Sequence, residues 1–206
     1  MTKDDIFTDN DSFFALKAVC NGLYKEKGSR FLSFAFPVCD VENAMATLRE
    51  YRKRFFDARH VCFAYKIGAT VIQTRTSDDG EPSGTAGQAI LGQINSANLT
   101  NVLIIVVRYF GGVLLGTGGL YRAYKTAAAD ALQNGEIIEQ IVENQIIIMF
   151  ENQILNNVKK VINDNNLKIL NQKFDINCTM QISVRKSLTD IIIQKFKENN
   201  IAILQY

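Results

Sequence analysis

All thirteen glycines and both prolines of the chain lie before residue 136, and the stretch 136–206 contains neither. Glycine opens positive φ and proline fixes φ, so a chain that confines both to its first part changes its turn grammar near Gly135. This predicts a first domain over 1–135, rich in sharp turns, and a second over 136–206, rich in Ile and Asn. With 206 residues the chain supports one large or two small cores. Charge is spread over both parts, with 15 basic and 13 acidic side chains in the first and 8 of each in the second.

The composition closes off several classes. The longest apolar runs, Val102–Val107 and Ile146–Phe150, fall far short of the roughly 18 residues of a membrane-spanning helix. The opening Met1-Thr2-Lys3-Asp4-Asp5 lacks the charged-then-apolar order of an export signal, so no membrane partner and a cytoplasmic setting are expected. Cys20, Cys39, Cys62 and Cys178 form neither a C-x-x-C pair nor a dense disulfide framework. His60 is the single histidine, which excludes a histidine-based metal cluster. Cys62 follows on the same strand face about 6.8 Å away by strand rise, too far for a direct nucleophile–base hydrogen bond. A formal net charge of +2 does not announce a nucleic-acid binder, so any such claim must come from where the cations are placed.

Periodicity gives the elements of the first part. Residues 12–24 and 31–39 read as strands, and Asp40 as the N-cap of a helix carrying Ala44, Leu48, Tyr51 and Phe55. Residues 60–67 alternate large Val61, Phe63, Tyr65 and Ile67 against His60, Cys62, Ala64 and Lys66, whose mostly small face leaves room for a packed layer. A strand at 70–76 follows the turn at Gly68, and Ser83 or Thr85 can cap a helix over 86–96. The run 102–107 reads as a strand buried on both faces, and 117–134 as a helix. The second part reads as strand 137–150, helix 151–165, strands 167–174 and 176–185, helix 188–199 and strand 201–206, with Ser187-Leu188-Thr189-Asp190 as a capping box. That β-α-β-β-α-β order is ferredoxin-like, and the fold class is α+β in two domains, the first a mixed βαβ domain.

Chemistry concentrates in two loops. In Ser77-Asp78-Asp79-Gly80-Glu81-Pro82-Ser83-Gly84-Thr85-Ala86-Gly87, three carboxylates can hold a divalent cation, the backbone over Ser83–Gly87 can meet an anion, or the whole is a tight turn. The second loop, Arg108-Tyr109-Phe110-Gly111-Gly112 through Gly116-Thr117-Gly118-Gly119, joins a strand to a helix start, the arrangement of a phosphate cradle. It lacks G-x-x-x-x-G-K-[ST], and Tyr121 stands where a dinucleotide fingerprint needs glycine. Arg122 and Lys125 share a face within the first two turns of that helix, where the dipole disfavours cations by about 0.3–1 kcal/mol each. Arg108 beside Tyr109, and Arg122 beside Tyr124, pair guanidinium groups with aromatic rings, the mixture that grips phosphate and stacks on bases. A solvated basic edge with half-buried tyrosines is the alternative.

Asp78–Gly87, Val106-Val107-Arg108-Tyr109-Phe110-Gly111-Gly112, Leu115–Leu120 and Arg122-Ala123-Tyr124 together resemble the signature of the YigZ/Impact family. Lys27-Gly28-Ser29-Arg30-Phe31 and Ala58–Tyr65 fit the same pattern. The resemblance spans essentially the whole chain. It implies a first domain like domain IV of elongation factor G and a second like domain V, with eukaryotic members acting in translational control. Those members carry an extra domain ahead of this one, so the kinase-pathway role is not transferred. Arg59 replaces the expected Thr, adding a cation beside His60, and Ala89 replaces the usual Pro.

The binding residues that follow from the two loops and the resemblance are Arg30, His60, Arg75, Asp78, Asp79, Glu81, Ser83, Thr85, Arg108, Tyr109, Gly111, Gly112, Gly116, Gly118, Gly119, Arg122, Tyr124 and Lys125. Neither a catalytic constellation nor a cofactor is expected. The leading expectation is a non-enzymatic regulator binding RNA or the ribosome. The alternatives are an enzyme or sensor for a phosphorylated small molecule, with metal on the Asp78-Asp79-Gly80-Glu81 loop, and a module that binds a protein partner. A single site requires the two loops to meet in space.

Overall fold

The computed structural model describes residues 11–175 and 177–206. The expectation for the first five residues, and the start of the strand placed at 176, lie outside them. The chain is an α+β protein whose strands, among the described residues, form three sheets and which divides into two compact units. One unit is Phe13–Gln140; the other is Ile141–Tyr206 with the described end of Met1–Ser12. Among the described residues no helix is long and apolar enough to cross a membrane.

The first unit is built on strands β2 (Cys20–Glu26), β3 (Ser29–Pro37), β4 (His60–Ile67), β5 (Gln73–Ser77) and β6 (Val102–Tyr109), ordered β2-β3-β6-β4-β5. Each neighbouring pair is antiparallel. The expected βαβ unit exists in split form. Strands β3 and β4, joined by helix α1 (Val41–Arg54), both run antiparallel to β6, which lies between them. Asp40 caps α1 by accepting the N–H of Asn43 at 2.7 Å, and Ala44 and Leu48 turn inward against Phe63, Tyr65, Leu103 and Ile105. Helices α2 (Gly87–Ser96) and α3 (Gly116–Gln133) cover the opposite face, where Cys62, Ala64, Ile104 and Val106 meet Ala89, Ile90, Ala123 and Ala127. Small residues on both sides let helix and sheet approach closely. With helices on both faces, all of Val102–Arg108 is buried, which is why this strand is continuously apolar until its last two residues.

Two readings of the sequence need correction here. The strand over 12–24 is two strands, since exposed Lys17, Ala18 and Val19 break it. Strand β1 (Ser12–Leu16) pairs with β7 (Ile137–Ile141), not with the large sheet. The strand over 137–150 is likewise divided at Val142 into β7 and β8 (Glu143–Glu151). An unbroken run of alternating residues cannot reveal that its two ends belong to different sheets.

The second unit contains β8, α4 (Leu155–Asp164), β9 (Lys168–Lys173), β10 (Asn177–Arg185), α5 (Thr189–Glu198) and β11 (Ala202–Gln205). This is the β-α-β-β-α-β order, with antiparallel strands arranged β11-β8-β10-β9. Ile146, Ile148, Met180 and Ile182 pack under Val158, Ile162, Ile192 and Phe196. The expected capping box is absent. A single 3-10 turn over Lys186–Leu188 leads into α5, whose start has no side-chain cap. What anchors this corner is Asp11, whose carboxylate receives Nε and Nη2 of Arg185 at 2.7 Å each and the Ser187 N–H at 3.2 Å. The Arg185 hydrogen bond outweighs the opposing effect of burial and holds the Asp11 carboxyl well below the usual carboxylate range.

Candidate functional site

The two loops singled out in the sequence meet in the first unit. Register explains how: His60 on β4 and Phe31 on β3 both stand opposite Arg108 on β6, so all three side chains project from the face that α2 and α3 cover. Arg108 donates from Nη1 to Glu81 Oε1 at 2.6 Å, and Tyr124 Oη on α3 donates to the same oxygen at 2.8 Å. The Arg108 and Glu81 side chains are only 6% and 3% exposed, so this is a buried ion pair. The guanidinium is held between rings, 5.5 Å from the Phe31 centroid and 5.6 Å from that of Phe110.

His60 closes one side. Its Nδ1 lies 2.8 Å from the Asp79 carbonyl oxygen. A carbonyl only accepts, so Nδ1 carries the proton and Nε2 is left toward Glu81 Oε1, 3.8 Å away. Behind Glu81, the Cys62 thiol lies 3.4 Å from Tyr124 Oη and 3.0 Å from the Asp78 carbonyl oxygen. Burial pushes the Cys62 thiol far up, and the surrounding carboxylates add to it. Burial likewise raises the Tyr124 phenol, reinforced by Cys62 and Glu81. Both groups stay protonated and serve as donors.

Two of the three loop carboxylates turn away from this point. Asp78 Oδ1 accepts the N–H groups of Ala86 and Gly87 at 2.9 and 2.8 Å, and Oδ2 that of Gly84 at 2.8 Å. Burial alone would raise its pKa, but the three backbone donors together bring it below the ordinary value. Asp79, at φ +45°, accepts from Arg52 Nη2 at 3.0 Å and from the Val61 N–H at 2.7 Å. The metal reading of Asp78-Asp79-Gly80-Glu81 is therefore corrected. The carboxylates serve a helix start, a strand and an arginine, and no group of three candidate ligands converges among the described residues. Neither expected cap holds either: Thr85 Oγ1 donates to the Pro82 carbonyl at 2.6 Å, Ser83 is exposed, and Asp78 does the capping.

A cleft of about 400 Å³ opens over the Arg108–Glu81 pair. Arg59, His60, Gly80 and Pro82 line it together with Phe110, Leu114, Leu115, Gly116, Thr117 and Leu120. The start of α3 thus borders the cleft, with neither a side-chain cap nor an acidic residue in its first turn. The glycines of the turn act by two means. Gly111 presses on the β2–β3 hairpin so closely that a Cβ there would sit 1.9 Å from the Gly28 carbonyl carbon. Gly112 and Gly116 have φ of +87° and +69°, which residues with a Cβ avoid.

The remaining expected residues separate by strand alternation. Tyr109 and its partner Arg30 lie on the other face, with the guanidinium 5.1 Å from the ring centroid and Tyr109 Oη donating to Asp57 at 2.9 Å. Arg75 pairs with Tyr65, which also faces α1, so it too points away from the cleft. Tyr124 is fully buried and cannot stack on a base. Arg122 and Lys125 are exposed on α3, and Gly118 and Gly119 lie in its first turn. Phe110, Leu114 and Thr117 were missed, because nothing in their residue types separates a cleft wall from a loop tip.

The Impact N-terminal domain matches residues 27–132, half of the chain, and covers every element around the cleft. The chain belongs to the IMPACT family. The family member YigZ of Escherichia coli (strain K12) is 32% identical over 77% of this chain and 78% of its own length. A crystal structure of a hypothetical protein, 28% identical, superposes with a TM-score of 0.71 over 95% of this chain and 98% of that one. The two-domain translational regulator Yih1 is 27% identical over 66% of this chain and 52% of its own, with a TM-score of 0.38.

Proposed function

We propose that the chain is a non-enzymatic, translation-associated regulator of the cytoplasm that binds RNA, free or in the ribosome, at the cleft mouth. The observation carrying this reading is the composition of that mouth. Exposed Arg59 and the exposed apolar groups Phe110 and Leu114 line the same cleft, and Tyr121, Arg122 and Lys125 are exposed on the next turns of α3. Cations that grip phosphate beside rings that accept a base describe a sequence-tolerant single-strand surface. Arg122 and Lys125 lie three residues apart and both are exposed on α3, so they present two cations to phosphates of a strand that enters the cleft. The setting in translation follows from the family resemblance, as does the implied likeness to domains IV and V of elongation factor G.

The test is fluorescence anisotropy of a labelled single-stranded RNA over a salt series, with ribosome cosedimentation beside it. Log affinity is expected to fall linearly with log salt, and Arg122→Ala/Lys125→Ala to flatten the slope by about 1.4, at about 0.7 per lost contact. Binding indifferent to salt and to both substitutions refutes the reading. Recovery of a protein partner without RNA makes the chain an interaction module instead.

A further inference from the structure

The Arg108 guanidinium is under-used. Nη1 makes its one side-chain hydrogen bond among the described residues, while Nε is buried without a partner. An arginine has five N–H donors, and leaving a buried one idle beneath two aromatic rings is costly unless an acceptor arrives. The start of α3 supplies a second set of idle donors on the same cleft, because its first N–H groups have no intrahelical acceptor and no side chain caps them. The contrast with α2 is direct: there Asp78 already occupies the helix start with a carboxylate. Two independent sets of donors, one on a buried arginine and one on a helix start, therefore border a single cavity.

The size and walls of the cavity restrict what fills it. About 400 Å³ holds a group of mononucleotide dimensions, not a duplex. Phe110, Leu114, Leu115 and Leu120 give it an apolar side suited to a base or sugar face. Glu81 Oε1 is taken by two donors and its charge is matched by Arg108, so an anion here is held by hydrogen bonds from the idle donors, not by a net positive charge. We propose that the cleft receives a nucleotide phosphomonoester, with the phosphate on Arg108 and the α3 N–H groups and the nucleoside along the Phe110–Leu114 wall. This deepens the RNA reading and rests on it for the natural source, a phosphorylated strand end, while a free mononucleotide presents the same chemistry.

The test compares single-stranded RNA oligonucleotides of one sequence bearing a 5′-phosphate, a 3′-phosphate or hydroxyls at both ends, with adenosine monophosphate and adenosine as competitors. Thr117→Asp is the informative variant. It puts a carboxylate in the exposed first turn of α3, where the helix dipole favours it, so the fold is retained while phosphate is repelled. Arg108→Lys is the second variant and keeps a cation for Glu81. A phosphorylated end is expected to bind at least tenfold tighter than hydroxyl ends, with adenosine monophosphate competing better than adenosine and Thr117→Asp abolishing both differences. Equal binding of all three RNAs, with salt dependence intact, overturns this proposal and leaves the RNA reading standing. Phosphate-dependent, Thr117→Asp-sensitive binding of adenosine monophosphate without any RNA binding upholds the pocket and overturns the strand-end source. Indifference to phosphate in every arm, together with no salt-dependent RNA binding, overturns both.

Discussion

Glu81 and Arg108 form a buried ion pair at the floor of the cleft, and removing either partner strands the other. Arg108→Met leaves the Glu81 carboxylate, 3% exposed, with Tyr124 as its remaining short-range donor. Breaking such a pair from one side costs about 3–5 kcal/mol, and Glu81→Met should cost a similar amount by stranding the guanidinium. Replacing both together removes the buried charges. What remains is the Tyr124 hydroxyl without its acceptor, a loss of about 1–3 kcal/mol. The double variant should therefore cost several kcal/mol less than the sum of the singles. Because the two units have separate cores and the chain has no tryptophan, the assay is hydrogen exchange by mass spectrometry in a urea series. Protection of β6 reports the first unit and protection of β8 serves as an internal reference. Single substitutions costing under about 1 kcal/mol, or additive costs in the double variant, would refute the buried-pair reasoning.

The lowered carboxyls give a pH dependence of defined sign. Asp78 and Asp11 both stabilise the fold above their unfolded values near about 3.9, and that contribution is lost as pH falls through their lower folded values. Acid titration should show Asp78→Asn flattening the loss in the first unit and Asp11→Asn that in the second, and Asp78→Ala should cost about 2 kcal/mol at neutral pH. Gly111→Ala should destabilise by about 1–3 kcal/mol or more, because its Cβ meets the Gly28 backbone. Gly92→Ala, inside α2 with open space beside it, should stabilise by about 1 kcal/mol, and thermal melts of the pair test the opposite signs. Iodoacetamide followed by peptide mapping should label exposed Cys39 well before buried Cys62, whose thiol is pushed upward.

Much of this fold can be read in advance wherever one residue period persists along one element. The α1 stripe, its Asp40 cap, the fully apolar β6 and the β-α-β-β-α-β order are all of that kind. What escapes is pairing between elements. Tyr109 and Arg108 are adjacent in sequence yet face opposite sides of the sheet, and only the β3–β6–β4 register joins Phe31, Arg108 and His60. Asp78 illustrates a second limit. Its three acceptor bonds look like metal-binding capacity until the chain bends and brings the N–H groups of Gly84, Ala86 and Gly87 onto it.

The Asp11–Arg185 contact joins positions 174 residues apart. During synthesis Asp11 is made before any of the first unit, and its partner only after that unit is complete. The first unit is thus an insertion between the two ends of the second, and it can reach its native state while Asp11 still waits. The second unit must recruit a residue made before the first, so it cannot complete its assembly until the whole of the first unit has been made.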